Sequence, residues 1–567
     1  MGIESFGGYM QKRFKECIST DKPKNIDSLF IDANGIFYDA ARNMIPPELN
    51  KKEKEKLEAL GKDKIEEKII KNCGQVLKDI ILQFSPQKNL IVAVDGLANA
   101  AKMNQQKSRR YGKKSEEEVR FFDTRVFTPG TEVMIKIDKI FQNIVKELDN
   151  IPNIIYSSHL VPGEAEHKIF DLIRDNKLIE DKGTHILHGA DSDLVVLSLL
   201  SDLDNIFVYR NNISSFYDIN KFKNLVKDKL RNRTKNKIIY QDFSILTYFI
   251  GNDFLPRLPN LPSVIPTMDI MLKIYNKINK DLTNDKGDII WSNFYSLFNC
   301  LDKWKRNDYN LYENNFIKQL KYPYQELNDS IILRNMKGKV INSNYDPSLH
   351  YINFDLKKFA DLWYNKQFAP KNKKLSEAYK NKEYFTTRDI IKMIIKYLQS
   401  FQWVLKYYLL GPNKVPNSFF YPYKYTPITL SIVNYMKLLG QKNKLDFLNK
   451  VMEMENYDFH IVHQLLMVLP PQKIDLIPKK FQKVYENALS SISPVDYPDP
   501  YPEGSDVDYN KKPDIPPINP GLTIFSCREL EIDKYLQTEK NLIIRNEIST
   551  ILEKNDDDFK VIETILI

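Results

Sequence analysis

At 567 residues the chain is longer than one hydrophobic core ordinarily serves, so two or more domains are expected. Hydrophobic residues at 42% and aromatics at 12% exclude a broadly disordered chain. The 83 Lys and Arg against 74 Asp and Glu give a formal charge of +9, which suits a polyanionic partner without requiring one.

The cysteines, Cys17, Cys73, Cys300 and Cys527, form no CxxC pair. Neither a zinc site nor a disulfide framework follows, and a reducing, intracellular and cytoplasmic setting is the plain expectation. The N-terminus MGIESFGGYMQKRF lacks the apolar core of a signal peptide, and Phe6 stands where a myristoylation motif wants Ser or Thr. No apolar run reaches the length of a membrane span, so a soluble protein is expected. A monomer is the further expectation. The excess of Lys, Asn and Ile fits an AT-rich coding genome.

In chain order, the segment 28–36, SLFIDANGI, reads as a short buried strand ending in Asp and a turn. A charged excursion follows at 51–71, read as a solvated helical face. The pattern of the first strand recurs as NLIVAVDG at 89–96, NIIYSSHLVPGE at 153–164 and THILHGADSD at 184–193. Amphipathic stretches such as 132–148 lie between, so the expected fold is α/β, a mostly parallel twisted sheet flanked by helices. From about 266 the strand signals fade into long helical segments such as 389–410. The window 494–520 carries eight prolines and reads as a linker or strap, followed by a helix-like stretch at 528–566.

Ligand chemistry in such sheets gathers at the carboxyl ends of the strands, and the acids fall there: Asp32, Asp95, Glu164, Glu166, Asp191, Asp193 and Asp253. Each alone is more readily a turn or cap residue. Seven together would repel one another, a situation that divalent cations relieve. Oxygen ligands without Cys or His favour Mg²⁺ or Mn²⁺ over zinc, with two ions expected. Directly after Asp95, AAKMNQQKSRRYGKK at 100–114 would, as a helix, align Lys102, Gln106, Arg109 and Arg110 on one face. A solvated basic helix is the ordinary account of such a face, but its place beside the acids favours phosphate binding. Two metal ions with a phosphate-recognising pocket define in-line phosphodiester hydrolysis.

The blocks FIDANGIFYD, AVDGLANAAKMNQQKSRRY, FTPGTEVM, VPGEAEHKI, HGADSDLVVL and FIGNDFLPRLP resemble, in order, those of the XRN family of 5′→3′ exoribonucleases. FQWVLKYYLLG, FFYPYKYTP and HQLLMVLPP are similar to that family's second, largely helical region. The resemblance implies a PIN/flap-nuclease-like core at 1–265, a helical second region at 266–490 with a divergent insert near 280–385, and a strap with a C-terminal helix at 491–567. It further implies metal coordination by the seven acids and a grip on a 5′-monophosphate by Lys102, Gln106, Arg109 and Arg110. The substrate would be decapped or cleaved single-stranded RNA, as in mRNA decay, degraded one mononucleotide at a time.

The chain departs from the pattern at Tyr38, where the family usually has His, and at Phe419, which corresponds to its opposing Trp. Both are candidate base-stacking residues, with Phe419 as ordinary core standing beside that role. The shortness of the chain beyond the second region fits a compact, virus-encoded member. A flap-endonuclease-like DNA nuclease and a nuclease-dead RNA-binding scaffold are the rival readings.

Overall fold

The computed structural model describes residues 3, 6–111, 120–174, 179, 183–230, 235–259, 261, 264–307, 334–335, 352–353, 360, 363–365, 367–368, 385–485, 517–528, 530 and 542–545. Most of the divergent stretch beyond 307, of the proline-rich window and of the terminal stretch lies outside them. The chain divides into two compact units that interleave in sequence. One comprises Met1–Lys15, Lys223–Leu409 and Tyr421–Met454; the other comprises Glu16–Phe222, Leu410–Phe420 and Glu455–Ile567. Linear boundaries at 265 and 490 therefore do not coincide with these units.

The helical unit opens with α1 (Phe6–Arg13) and resumes at Lys223. The sheet unit takes up the chain with β1 (Ile18–Ser19), β2 (Ser28–Asp32), α2 (Asn34–Met44), α3 (Lys51–Leu60) and α4 (Lys62–Phe84). The charged excursion is thus two helices, which meet at Gly61. Asn50 opens the first with a capping box: its side chain accepts from the Glu53 N–H at 3.0 Å while its own N–H donates to Glu53 Oε2 at 2.8 Å.

Next come β3 (Asn89–Ala93), α5 (Ala100–Tyr111), α6 (Glu132–Lys146), β4 (Asn153–Ser157), α7 (Ala165–Arg174), β5 (His185–His188), α8 (Asp193–Leu200), β6 (Ile206–Arg210) and β7 (Ser215–Asp218). The strand expected over 153–164 ends at Ser157, because the next residues leave the sheet for a loop. Helix α9 (Ile219–Lys229) spans the boundary between the units.

The sheet runs β1-β7-β6-β5-β2-β3-β4-β10, where β10 is Leu542–Arg545. Its five central strands, β6 to β4, are parallel, and β1, β7 and β10 add antiparallel edges. Central strands β2 and β3 are buried at every residue, as expected where helices cover both faces. One face of the sheet packs Leu29, Ile31, Leu90, Val92 and Ile154 against α2, α4 and α6. Each such fully buried side chain contributes about 1.5–3 kcal/mol.

Strand order reverses at β2: the chain proceeds to β3 and β4 on one side and returns to β5 on the other. A crevice forms at the carboxyl end of a strand where the order reverses, and Asp32 terminates β2 there. Within 528–566, expected as helix, the described residues 542–545 are extended and paired with β4. The proline-rich window ends in α17 (Pro520–Cys527), which follows α15 (Ile461–Val468) and α16 (Lys479–Val484) in the same unit. Pro520 fits its first helical position, where the missing N–H has no partner to lose.

The helical unit holds α10 (Asn236–Tyr248), α11 (Val264–Ile278), α12 (Trp291–Asn307), α13 (Thr387–Leu410) and α14 (Thr429–Gln441), with a small pair β8 (Arg334–Asn335) and β9 (Ile352–Asn353). Phe249 and Phe294 pack on Phe401 with centroids 5.1 and 5.2 Å away. After α10 the chain turns through Gly251–Leu255, with Asn252 Oδ1 accepting from the Phe254 and Leu255 N–H groups. Asp253 sits in this turn.

Asp242 is fully buried in this unit, where it accepts from Tyr275 Oη (2.6 Å), the Leu282 N–H (2.9 Å) and Thr283 Oγ1 (2.7 Å). Burial outweighs these three donors and pushes its carboxyl up to about 7. The folded state therefore holds a proton that the unfolded chain has released. Stability from this group is highest near pH 4 and is lost as pH rises through about 7. Between those limits, the melting temperature of the wild type should fall relative to that of Asp242→Asn. Parallel melting curves for the two proteins would contradict this assignment.

Candidate metal centre and phosphate-binding helix

Six of the seven acids expected at strand ends belong to the sheet unit, and they interact; the seventh, Asp253, follows helix α10 rather than a strand. Asp32 is raised well above the usual carboxylate range by burial, then by Asp95, Asp191 and Asp193. Glu166 is raised likewise by burial, then by Glu164, Asp95 and Asp193, with Lys102 opposing. Asp32, Glu164, Glu166 and Asp193 are buried, and Asp95 and Asp191 are partly buried. Asp253 belongs to the helical unit.

Short-range geometry explains how the acids are held together. Asn34 ties the first two: its N–H and side-chain amide donate to Asp32 Oδ1 at 3.2 and 2.9 Å, while its Oδ1 accepts from the Asp95 N–H at 3.1 Å. Asp95 Oδ1 accepts from the Ala165 N–H at 2.9 Å, at the start of α7. Gly96 and Gly163 join the loops that carry Asp95 and Glu164: Gly96 N–H donates to Gly163 O at 2.9 Å, and Gly163 N–H to Leu97 O at 2.7 Å. A Cβ on Gly96 would overlap the Val161 carbonyl oxygen, so only glycine allows this approach. Gly189 packs closely beside Asp32, where a Cβ would reach 3.4 Å from Asp32 Cβ and would require the Leu194 side chain to shift.

Lys168 stands one helical turn after Glu164 and is buried. Its Nζ donates to Val94 O at 2.7 Å and Ser158 O at 2.9 Å, bracing the ends of β3 and β4. Burial pushes its ammonium down to about 7 against the pull of Asp95, Asp138 and Glu166. Ligand atoms of Glu164, Glu166 and His167 lie within 4.8 Å of one another, and burial drives the His167 imidazole well below its ordinary value, to the neutral form. Sequence reasoning overlooked Asn34, Lys168 and His167. Each lies within two residues of a named acid, the one signal that points to them.

The donor set fits hard divalent cations: a crowd of carboxylate oxygens whose neighbours disfavour ionisation until positive charge arrives. Among the described residues no helix is long and apolar enough to cross a membrane.

Helix α5 forms as its spacing predicts, and both ends of its basic face are built in. Lys102 is buried and ion-pairs with Glu164, so the basic face begins in contact with the acids. Gln106 is buried and accepts from Gln464 Nε2 at 3.2 Å. Arg110 Nε donates to Thr128 Oγ1 at 2.6 Å, and Arg125 Nε donates to Arg110 O at 2.8 Å. Burial lowers the Arg110 guanidinium to about 10, with Tyr38 and Asp95 favouring its charge and Arg109 opposing it, so it stays cationic near neutrality. Arg109 is half-buried on the same helix. Tyr38 is 38% exposed, its ring edge-on to Phe127 at 5.6 Å. Phe419 is 1% exposed and presents no ring face to solvent.

Two outcomes are expected from this geometry. Gly96→Ala should cost about 2–3 kcal/mol in thermal unfolding, whereas Gly35→Ala, with open space around its Cβ, should be neutral or stabilising by up to about 1 kcal/mol. Because Asp32 and Glu166 keep their protons to unusually high pH, a divalent cation must displace them. The Mg²⁺ concentration for half-saturation, read by calorimetric titration, should therefore rise as pH is lowered from about 8 to about 6.

Known proteins bear on this site. The chain is 26% identical over 593 aligned positions to "5'-3' exoribonuclease 1" of Homo sapiens, covering 90% of this chain and 33% of that one. It is 29% identical to the protein of that name from Schizosaccharomyces pombe (51% and 25% covered) and 23% identical to "5'-3' exoribonuclease 2 homolog" of Drosophila melanogaster (90% and 68% covered). The chain thus spans a third or less of the first two relatives. A solved structure of the catalytic core of Rad2 with DNA substrate matches at 14% identity and a TM-score of 0.30, covering 72% of this chain and 95% of that one, too loosely to carry an argument. A model of the "XRN 5'-3' exonuclease N-terminus" matches residues 1–212, and one of the "Xrn1 helical domain" matches 234–308 and 363–514. Matched in order over most of its length by the two halves of one family, the chain belongs to the XRN family.

Proposed function

We propose that this protein is a divalent-metal-dependent 5′→3′ exoribonuclease that removes mononucleotides from single-stranded RNA bearing a 5′-monophosphate. The observation that carries the reading is the contact between Lys102 and Glu164. Through it a partly buried, donor-rich helix face starts against the acid cluster, so a phosphate held on the face and the bond to be cut lie side by side. The family relatives, named as 5'-3' exoribonucleases, support the polarity and the substrate.

Asp32, Asp95, Glu164, Glu166, Asp191 and Asp193 would hold the cations, with His167 close to two of them. Mg²⁺ or Mn²⁺, two ions by the number of acids, would supply the Lewis acidity that phosphodiester hydrolysis needs. Lys102, Gln106, Arg109 and Arg110 bind the terminal phosphate, the arginines by forked donors and Lys102 as a point charge. A pocket closed by buried side chains would favour a monophosphate over a bulkier cap or triphosphate. Tyr38 offers its exposed ring to a base without adding charge. Cytoplasmic action on decapped messages and a monomeric state belong to the same proposal.

A time course on one RNA carrying a cap, triphosphate, monophosphate or hydroxyl at its 5′ end, with and without Mg²⁺, tests this directly. Cleavage should require the metal and favour the monophosphate. A preference for a 5′-flap DNA run in parallel would replace the reading with a structure-specific DNA nuclease, and metal-independent RNA retention without cleavage would leave a binding scaffold. Asp191→Ala with Asp193→Ala should lower turnover by at least about a thousandfold while RNA binding, measured by fluorescence anisotropy, changes little. Arg109→Glu should erase the preference for monophosphate over hydroxyl ends.

A further inference from the structure

The phosphate-binding face carries one group whose chemical polarity is ambiguous. Gln106 can offer an anion either its amide donor or its carbonyl oxygen, and only the first attracts a phosphate. A buried residue 358 positions away settles the choice. Gln464, on α15, is 0% exposed and packs with α5 among Ala98, Ala100, Met103, Leu465 and Leu466.

Its amide is used at both ends. Oε1 accepts from the Ala98 N–H at 2.8 Å, and Nε2 donates to Gln106 Oε1 at 3.2 Å. The Ala98 N–H can only donate, so the oxygen of Gln464 must face it. Its NH₂ then faces Gln106 and must meet an oxygen, which turns the Gln106 NH₂ away from Gln464. Reversing either amide would set donor against donor, or acceptor against acceptor, in a site that water does not reach.

We infer that Gln464 is a positioning residue for terminal-phosphate recognition: it relays the polarity of the Ala98 N–H to Gln106 and so keeps the Gln106 amide presented as a donor. The inference rests on the reading of α5 as the 5′-phosphate site. It explains why a fully buried polar side chain stands in an otherwise apolar helix contact, where Leu or Met would pack without desolvating an amide.

The test uses the ratio of kcat/KM for 5′-monophosphate RNA to that for 5′-hydroxyl RNA on the full chain. Assayed at alkaline pH, where even a buried carboxyl ionises, Gln464→Glu keeps an acceptor for Ala98 and has no donor for Gln106, so the Gln106 NH₂ is drawn toward the carboxylate and its oxygen is left facing the phosphate. The ratio should fall about tenfold, carried by KM, as expected for one reversed hydrogen bond to an anion. Gln464→Met, which removes the relay without reversing it, should give a smaller fall of about two- to threefold. In a Gln106→Leu background Gln464→Glu should lower the ratio no further.

A ratio unchanged in Gln464→Glu, with a wild-type melting temperature and circular dichroism spectrum, overturns the inference. So does an undiminished effect in the Gln106→Leu background. Should Gln464→Glu fail to fold, an unchanged ratio in Gln464→Met overturns it equally. A wild-type ratio near one would instead refute the phosphate site itself, and the relay with it. A large wild-type ratio that survives these substitutions refutes the relay alone.

Discussion

Like charges that must share a small volume repel one another, and burial multiplies the penalty. In the sheet unit, Asp32 and Glu166 are held among four other acids at the carboxyl ends of parallel strands, where neighbouring acids and loss of water disfavour their ionisation. Much of the surrounding structure opposes that repulsion. Asn34 bridges two acids, the first backbone amide of α7 anchors Asp95, and Lys168 braces two strand ends from beneath. The close approach at Gly96 allows the loops that carry Asp95 and Glu164 to touch at all.

The cationic side of the site is organised by the same need. Lys102 answers Glu164, and Arg110 feels Asp95, so the positive helix is in part the counter-charge of the negative cluster. Arg110 and Gln106 are in turn held by Thr128 and Gln464, residues with no charge. An anion that reaches α5 meets groups already oriented, which spares it the entropy of ordering them. The acids and the basic helix are adjacent because one short loop joins the end of β3, with Asp95, to α5.

Much of this was legible in the residues. Apolar runs that end in acids announced the parallel sheet and placed Asp32, Asp95, Asp191 and Asp193 at its carboxyl edge. The spacing of Lys102, Gln106, Arg109 and Arg110 announced a helix with one basic face. Other features were not legible, for local reasons. A strand signal at 153–164 overran because Leu160 and Val161 carry the apolar run past the strand, which ends at Ser157. The terminal stretch looked helical by composition, yet 542–545 is extended, because pairing with an open sheet edge can outweigh intrinsic propensity. Tyr38 and Phe419 had similar claims as aromatic platforms, and only burial separated them.

The amino-acid sequence by itself determined the chemistry available: which strands end in carboxylates, that a donor-rich helix follows one of them, and that the four cysteines form no CxxC pair. Those are local properties, set by the order of residue types within a strand or a helical turn. What only the tertiary structure decided is how these groups constrain one another. Gln464 orients Gln106 across 358 residues of chain, Lys473 from the far end of the sequence ion-pairs with Asp123 at 2.8 Å, and the two units interleave so that segments beyond 409 return to the sheet. Contacts of that separation carry no periodic or compositional signature, because their free energy arises from complementary packing and from polar groups that must find partners once water is excluded.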